Sequence, residues 1–316
     1  MGTVASFGSI NVDRVAYLED GVAADLAASY DWFPGPGETR SVESVSGELD
    51  ALVDETFLGG KGANQAVAAA RAGADAGLYG QVGPDHGAFD VLDALAGYGV
   101  DVSAVEVADA PTGTAYVFVT PEGENHIAIV GGANAAVRPA YAHKHLERLR
   151  RVDCLLVQNE LPAATLDALF TALDGQHDRP TVIFDPAPAE GAADLLGHAC
   201  IDIVLPNEAE APVLADALDR FGGTVVYKHG PDPVVVETGD DGRFTVAPPS
   251  VDPVDTTGAG DVFGGFLAAE LSRGASLREA VERACVAGAL SVESEGVQRA
   301  TPPLETVRAC RRRTER

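Results

Sequence analysis

From about residue 152 onward, short apolar runs recur, and each ends on polar residues before a helical stretch begins. "DCLLVQNELP" ends in Asn159 and Glu160, "TVIFDPAPAE" in Asp185, "IDIVLPNEAEA" in Asn207, and "GTVVYKHG" in Lys228 and His229. Short apolar runs alternating with helices predict a parallel sheet covered on both faces. Polar residues just past such strands gather at the carboxyl edge of the sheet, where open α/β sheets bind ligands.

The N-terminal half follows a different pattern. "FGSINVD" predicts a buried strand with Asn11 and Asp13 at its end, yet residues 14–58 mix Pro, Gly and acids without a clear long helix. "TGTAYVFVTPEGENHIAIVGG" alternates on both sides of Pro121 to Asn125, the mark of a β-hairpin. The β-rich segments, about 12–58 and 104–131, do not suit a parallel core. They predict a small sheet over the mouth of the site, a lid on a single domain spanning 1–316. No internal repeat or low-complexity linker interrupts the chain.

Composition narrows the function. With 46% hydrophobic residues in 316, the chain can fill a sizeable core, and no apolar run approaches the ~18 residues of a membrane span. The start, "MGTVASFGSINVD", lacks a basic region and reads as a strand, so a cytoplasmic protein is expected. The net charge is −26, and only Lys61, Lys144 and Lys228 among the 22 basic residues are lysines. Such a field repels phosphate backbones and argues against nucleic acid as a partner. It suits a hydrated acidic surface in a salt-rich cytoplasm, where a Debye length of ~3 Å at 1 M screens self-repulsion. The basic end "RACRRRTER" reads as a solvated helix end. Cys154, Cys200, Cys285 and Cys310 form no C-x-x-C pair, so free thiols are expected rather than zinc or disulfides. His126, His143 and His145 are expected in surface or hairpin roles.

Two glycine-rich stretches carry candidate chemistry. In "LGGKGANQAVAAARAGA", Gly59, Gly60 and Gly62 surround Lys61, and Asn64 is expected to face outward from the first turn of an alanine-rich helix. In "VDTTGAGDVFGGFLAAE", Gly258, Ala259 and Gly260 leave backbone amides unshielded, and Asp261 falls in the first helical turn. Exposed amides at a helix start favour oxygen-rich anions. A glycine turn capped by Asn64 or Asp261 is the plain structural alternative. Neither stretch fits a Walker loop, because Lys61 is followed by Gly62, nor a dinucleotide fingerprint, because Phe263 stands in the third glycine's place.

Together with "GSINVD", "PGPGET", "EGENHIAIVGGANA", "DPAPAE" and "PNEAEA", these stretches make the chain resemble the ribokinase family, the PfkB-type carbohydrate kinases, nearly end to end. The resemblance implies a ribokinase-like three-layer α/β/α fold with a mostly parallel central sheet and a small β-sheet lid. It implies ATP-dependent phosphorylation of a sugar's primary hydroxyl, and "GSINVD" with "GGKGANQ" points to ribose among pentoses. A sugar phosphate such as ribose 1-phosphate, a nucleoside, or a non-catalytic sensor are the alternatives. By resemblance Asn11, Asp13, Gly59, Gly60, Lys61, Asn64 and Glu160 hold the sugar, and Asp261 is the general base. The amides of Gly258, Ala259 and Gly260 form an anion hole. Asn207 and Glu210 position Mg2+ and the nucleotide phosphates. Asp255, Thr257, Ser291, Ser294, Gly296 and Ala300 ring a monovalent cation, K+. A homodimer through the lid is also implied.

The chain departs from the family pattern in three places. "KHGPDP" replaces the usual Thr-x-Gly-x-x-Gly, so Lys228 and Gly230 align loosely with nucleotide contacts. Segments 17–33 and 41–56 are expanded and acidic, enlarging the lid. Cys285 and Ala300 replace an adenine-side histidine and a serine near the cation.

Overall fold

The computed structural model describes residues 1–314, with side chains described through residue 310; the reading of the basic end falls largely outside these described residues. A nine-stranded sheet forms the core. In spatial order its strands are Arg243–Val246, Val234–Glu237, Thr224–Tyr227, Ile201–Val204, Thr181–Asp185, Cys154–Gln158, Thr3–Phe7, Asp75–Tyr79 and Val100–Asp101. Neighbours run parallel from Val100–Asp101 through Thr224–Tyr227, and the last two strands return antiparallel. Alternation along the buried strands assigns each side chain to a layer. Cys154 and Leu156 pack with helices Ala259–Leu271 and Leu277–Ser291, whereas Leu155 and Val157 pack with helix Ala163–Leu173. These strands are mostly apolar because both faces are covered.

The sheet grows first to one side of Thr3–Phe7 and then, from Cys154–Gln158, to the other. The crevice of an open α/β sheet lies at such a reversal. Asn11 and Glu160, which follow these two strands, are thereby brought to one place.

A second sheet has the order Thr39–Val42, Asn125–Val130, Gly113–Val119, Asn11–Tyr17 and Glu55–Gly59. Its hairpin pairs Val119 with Asn125 and Thr114 with Val130, as the alternation predicted. One face presents Asn11, Asp13, Ala115 and Ile129 to a cavity. On the other, Ala16, Tyr116, Phe118 and Ala128 are covered by Leu26 of the helix Val22–Ser29, Phe33 and Leu49. The acidic segments 17–33 and 41–56 therefore wrap the outer face of the small sheet. No helix among the described residues is long and apolar enough to cross a membrane. Cys154, Cys200 and Cys285 are buried free thiols, and burial pushes each up to about 12.

Two helices approach unusually closely, and this contact builds the site. A Cβ on Gly265 would stand 2.4 Å from Ala68 Cβ and 2.6 Å from the Gln65 carbonyl oxygen. Glycine on one helix and alanine on the other allow Lys61–Arg71 to lie against Ala259–Leu271, so side chains in the first turns of both helices can touch.

Candidate active site

A cavity of about 870 Å3 opens at the carboxyl edge of the central sheet, between the two helix starts and the small sheet. A broader cavity of about 1140 Å3 lies at the opposite edge, beside Thr181, Ile201 and Thr224, and none of the predicted site residues line it.

Asp261 is 5% exposed. Its Oδ2 accepts a hydrogen bond from Asn64 Nδ2 at 3.0 Å and its Oδ1 accepts from Gln65 Nε2 at 3.2 Å. Each donor is oriented by a second buried amide. Gln158 Nε2 donates to Gln65 Oε1 at 2.6 Å, and Gln298 Nε2 donates to Asn64 Oδ1 at 3.2 Å. Gln65 also donates to Asp185 Oδ2 at 2.9 Å. Asn64 borders the cavity, where it can reach a ligand as expected, and it is at the same time buried against Asp261.

Burial is the largest influence on Asp261 and pushes its carboxyl up; Lys61 opposes this, Asp185 adds to it, and the Asn64 and Gln65 hydrogen bonds pull down. The balance leaves it above the usual carboxylate range, which suits a group that takes a proton near neutral pH. Gly258 precedes the helix in a left-handed conformation, φ +71°, and the helix begins at Ala259. The first N–H groups of a helix have no intrahelical carbonyl; of these, Ala259 N–H makes only a long bond to the Thr256 carbonyl, 3.4 Å. Gly258, Ala259 and Gly260 all border the cavity beside Asp261.

The small sheet and the first glycine turn supply a polar pocket next to Asp261. Asn134 Nδ2 donates to Asn11 Oδ1 at 2.7 Å and to the Ile10 carbonyl at 3.2 Å, while its Oδ1 accepts from Ile10 N–H at 2.9 Å. Asn11 therefore has its amide oxygen committed and its NH2 free to donate. Asp13 has a buried Oδ1 with no partner. Burial, then Glu160 and Asp261, push its carboxyl up to about 7 against the pull of Lys61. Glu160 accepts from the Ser9 hydroxyl and from Lys61 N–H at 3.4 Å. Burial raises Glu160, and Lys61 and Ser9 only partly offset it. Burial pulls the Lys61 ammonium down, but Asp261 and Glu160 outweigh it and hold it above its ordinary value. Gly59 does not border the cavity. A Cβ there would stand 2.0 Å from Asp13 Oδ2, so it clears space for that carboxylate instead.

On the other side of Asp261 lie Asn207, Glu210, Lys228 and Gly230. Asn207 and Glu210 close on each other: Asn207 N–H donates to Glu210 Oε2 at 2.9 Å, and Asn207 Nδ2 donates to Oε1 at 2.7 Å. Burial raises Glu210, with Lys228 the largest opposing influence. Beyond them the cleft turns apolar along Pro248, Pro249, Val251, Cys285 and Val292. An apolar slot leading to amides, carboxylates and a lysine fits a nucleotide with its base outward and its phosphates, with a divalent ion, inward.

The predicted cation ring is brought together only in part. Asp255 Oδ1 accepts from Thr257 N–H at 2.9 Å and Oδ2 from Gly296 N–H at 3.3 Å, joining two loops. Thr257 borders the cavity, whereas Asp255, Ser291, Ser294, Gly296 and Ala300 do not. The Ser291 hydroxyl donates to the Gly288 carbonyl at 2.8 Å, and Ala300 N–H donates to the Gly296 carbonyl at 2.9 Å. Among the described residues no group of three or more His, Cys, Asp or Glu is arranged to hold a metal.

His126 lies in the hairpin but is buried, its Nδ1 2.8 Å from the Pro34 carbonyl; His145 is also buried, with Nε2 3.2 Å from Glu106. Sequence reasoning missed Gln65, Asn134, Gln158 and Gln298. The available signal was a polar residue inside an otherwise apolar stretch, as in "GANQAVAAA" and "LLVQNE".

Residues 54–304 match the sequence profile of the pfkB family carbohydrate kinases. The chain is 37% identical over 286 residues to a ribokinase of Bacillus subtilis (strain 168), covering 88% of this chain and 92% of that protein. The structure superposes on a ribokinase of Thermotoga maritima with a TM-score of 0.79 at 29% identity, covering 98% and 99% of the two chains. An Arabidopsis thaliana ribokinase complexed with ribose and ATP gives a TM-score of 0.78 at 27% identity, with 98% and 97% covered.

Proposed function

The chain belongs to the pfkB family of carbohydrate kinases, and we propose that within it the protein transfers the γ-phosphoryl group of ATP to the 5-hydroxyl of ribose. The observation that carries this reading is Asp261, a buried carboxylate at the first amides of its helix, facing a pocket of Asn11, Asp13, Lys61 and Glu160. Asp13 Oδ1 and Glu160 accept ring hydroxyls, while Asn11 NH2 and the Lys61 ammonium donate to them. The sugar hydroxyl oxygen attacks phosphorus, its proton passes to Asp261, and the bond to ADP breaks with its electron pair leaving on the ADP oxygen. The transferring group spreads negative charge over its oxygens, which the amides of 258–260 stabilise. Mg2+ neutralises phosphate charge when bound; Asn207 and Glu210 are the residues to hold it, through water. Backbone oxygens of the loops joined by Asp255 would hold a K+ ion, which would steady the anion hole. The small sheet closes as a lid. A homodimer would form through the small sheet, part of whose outer face is already covered by Leu26, Phe33 and Leu49.

The test is a coupled kinase assay at high KCl, which suits a cytoplasmic enzyme with a net charge of −26. Pentoses, pentose phosphates and nucleosides are compared as acceptors, and NaCl replaces KCl in a second series. Ribose is expected to give the highest kcat/KM, with a lower rate in NaCl. Turnover confined to a phosphorylated sugar or a nucleoside would replace the acceptor, and ribose binding without turnover on any acceptor would make the protein a sensor.

Asp13 adds a pH signature. Its carboxyl is held at about 7, so it is protonated below that pH and ionised above it. A protonated carboxyl accepts a sugar hydroxyl poorly. The KM for ribose is therefore expected to be flat above pH 8 and to rise toward ~10-fold per unit below 7, the limit for one proton. A KM unchanged down to pH 5.5 would remove Asp13 from ribose binding.

A further inference from the structure

We propose that Lys228 is a catalytic residue, whose ammonium leaves Asp185 for the transferring phosphoryl group as that group settles on the 258–260 amides. This rests on the kinase reading above and adds a cation that the glycine motifs do not supply. Lys228 Nζ donates to Asp185 Oδ1 at 3.2 Å. It also stands 3.4 Å from where a Gly260 Cβ would lie, so it is beside the anion cradle. Its backbone is fixed, because Lys228 N–H donates to the Pro206 carbonyl at 2.9 Å and residue 228 bridges to Asn207. The ammonium is thus set between the turn carrying Asn207 and Glu210 and the start of the catalytic helix.

The charge balance of the cavity requires such a group. Asp13, Glu160, Asp185, Glu208, Glu210 and Asp261 line it, with His229 Nδ1 3.8 Å from Glu208, while Lys61 and Lys228 are its only lysines and no arginine borders it among the described residues. Lys61 stands on the Glu160 side, where its N–H donates to Glu160 at 3.4 Å, and Asp261 and Glu160 are the carboxylates that most favour its charge. That leaves Lys228 for the phosphate side. The basic residues of this chain are otherwise arginines, yet two of its three lysines line this one cavity. A compact ammonium on a flexible stem can follow a moving point of charge in a way a planar guanidinium cannot. Asp185 is a fitting resting partner. It is 1% exposed, and its other oxygen accepts from Gln65, which also bonds Asp261. The resting lysine and the base therefore share one hydrogen-bonded chain.

The competing role is simple neutralisation of buried Asp185, and the two make opposite predictions for a double variant. Lys228→Met is expected to lower kcat ~10²-fold, as loss of one charge-stabilising donor does, with the ribose KM within about threefold. Asp185→Asn/Lys228→Met removes the buried charge with its partner and is expected to stay as slow as Lys228→Met. Calorimetry supplies a readout apart from turnover. Affinity for ADP, aluminium fluoride, Mg2+ and ribose together is expected to fall ~10²-fold in Lys228→Met, while affinity for ADP alone changes less than about fivefold. Turnover restored in the double variant, or unchanged affinity for the fluoride complex, overturns the proposal. Lys228→Thr is read in the same way where Lys228→Met does not fold. A parent enzyme with no turnover on any acceptor fails the kinase reading and this proposal together. An active parent whose Lys228 variants keep normal turnover fails this proposal alone.

Discussion

Asp261→Asn is expected to lower kcat by ~10²–10⁴ while ribose affinity stays within about threefold, because only proton acceptance in the transition state is lost. The substitution preserves size, and the side chain is held at both oxygens, by Asn64 and Gln65. An amide there would place an NH2 group against one of those donors. Relieving the conflict means flipping Asn64 or Gln65, and each is already fixed by Gln298 or Gln158. Some stability is therefore lost as well, on the order of 1–3 kcal/mol for a buried polar mismatch. Turnover and ribose affinity are measured separately, by coupled assay and by calorimetry. Near-normal turnover would remove Asp261 as the base.

Gly60→Ala is expected to cost both stability and ribose affinity. Gly60 has φ +88°, and its Cβ would stand 2.7 Å from both Asn11 N and the Ser9 carbonyl oxygen, and 2.9 Å from Ile10 Cα. All three are backbone atoms of the segment that presents Asn11, so no side-chain rotation relieves the overlap. Strained backbone of this kind costs ~1–3 kcal/mol before any clash is counted. We expect a total loss of ~3–5 kcal/mol, which is exceptional for one substitution, together with at least a ~10²-fold fall in ribose affinity. Gly123→Ala is the internal control, since Gly123 has φ +83° with nothing within 4 Å of its Cβ. It should carry the conformational cost alone, about 1 kcal/mol, and leave ribose binding untouched. Denaturant midpoints and calorimetry on both variants check the pair; equal effects at the two positions would mean that the contact between the glycine turn and residues 9–11 does not build the site.

Part of this arrangement could be read along the chain. Strands in the parallel core are buried on both faces, so they appear as short apolar runs, and the polar residues ending them mark one edge. Asn11, Glu160, Asn207 and Lys228 were all found in this way, and each borders the cavity. The two glycine turns were equally plain, because a positive φ or a close backbone approach leaves little choice of residue. The burial of Asn64 against Asp261 was not legible, for a specific reason. Helical spacing says which face a residue occupies, but not that a second helix comes close enough to cover that face. The contact that covers it joins Gly265 with Ala68 and Gln65, almost 200 positions apart in sequence. Gly59 was assigned to the sugar by resemblance, and what its missing side chain makes room for is the carboxylate of Asp13 on the adjacent strand.

By itself, then, the sequence determined the elements, the carboxyl edge and the two glycine turns that open helices, because these follow from local backbone preference and the periodicity of burial. Only the tertiary structure decided which amide orients which carboxylate, and that the acidic segments 17–33 and 41–56 cover the outer face of the small sheet. It also decided that Lys228 rests on Asp185 beside Gly260. Hydrogen-bond partners and buried charges depend on distances between distant segments, and those distances are set by how closely helices and sheets pack.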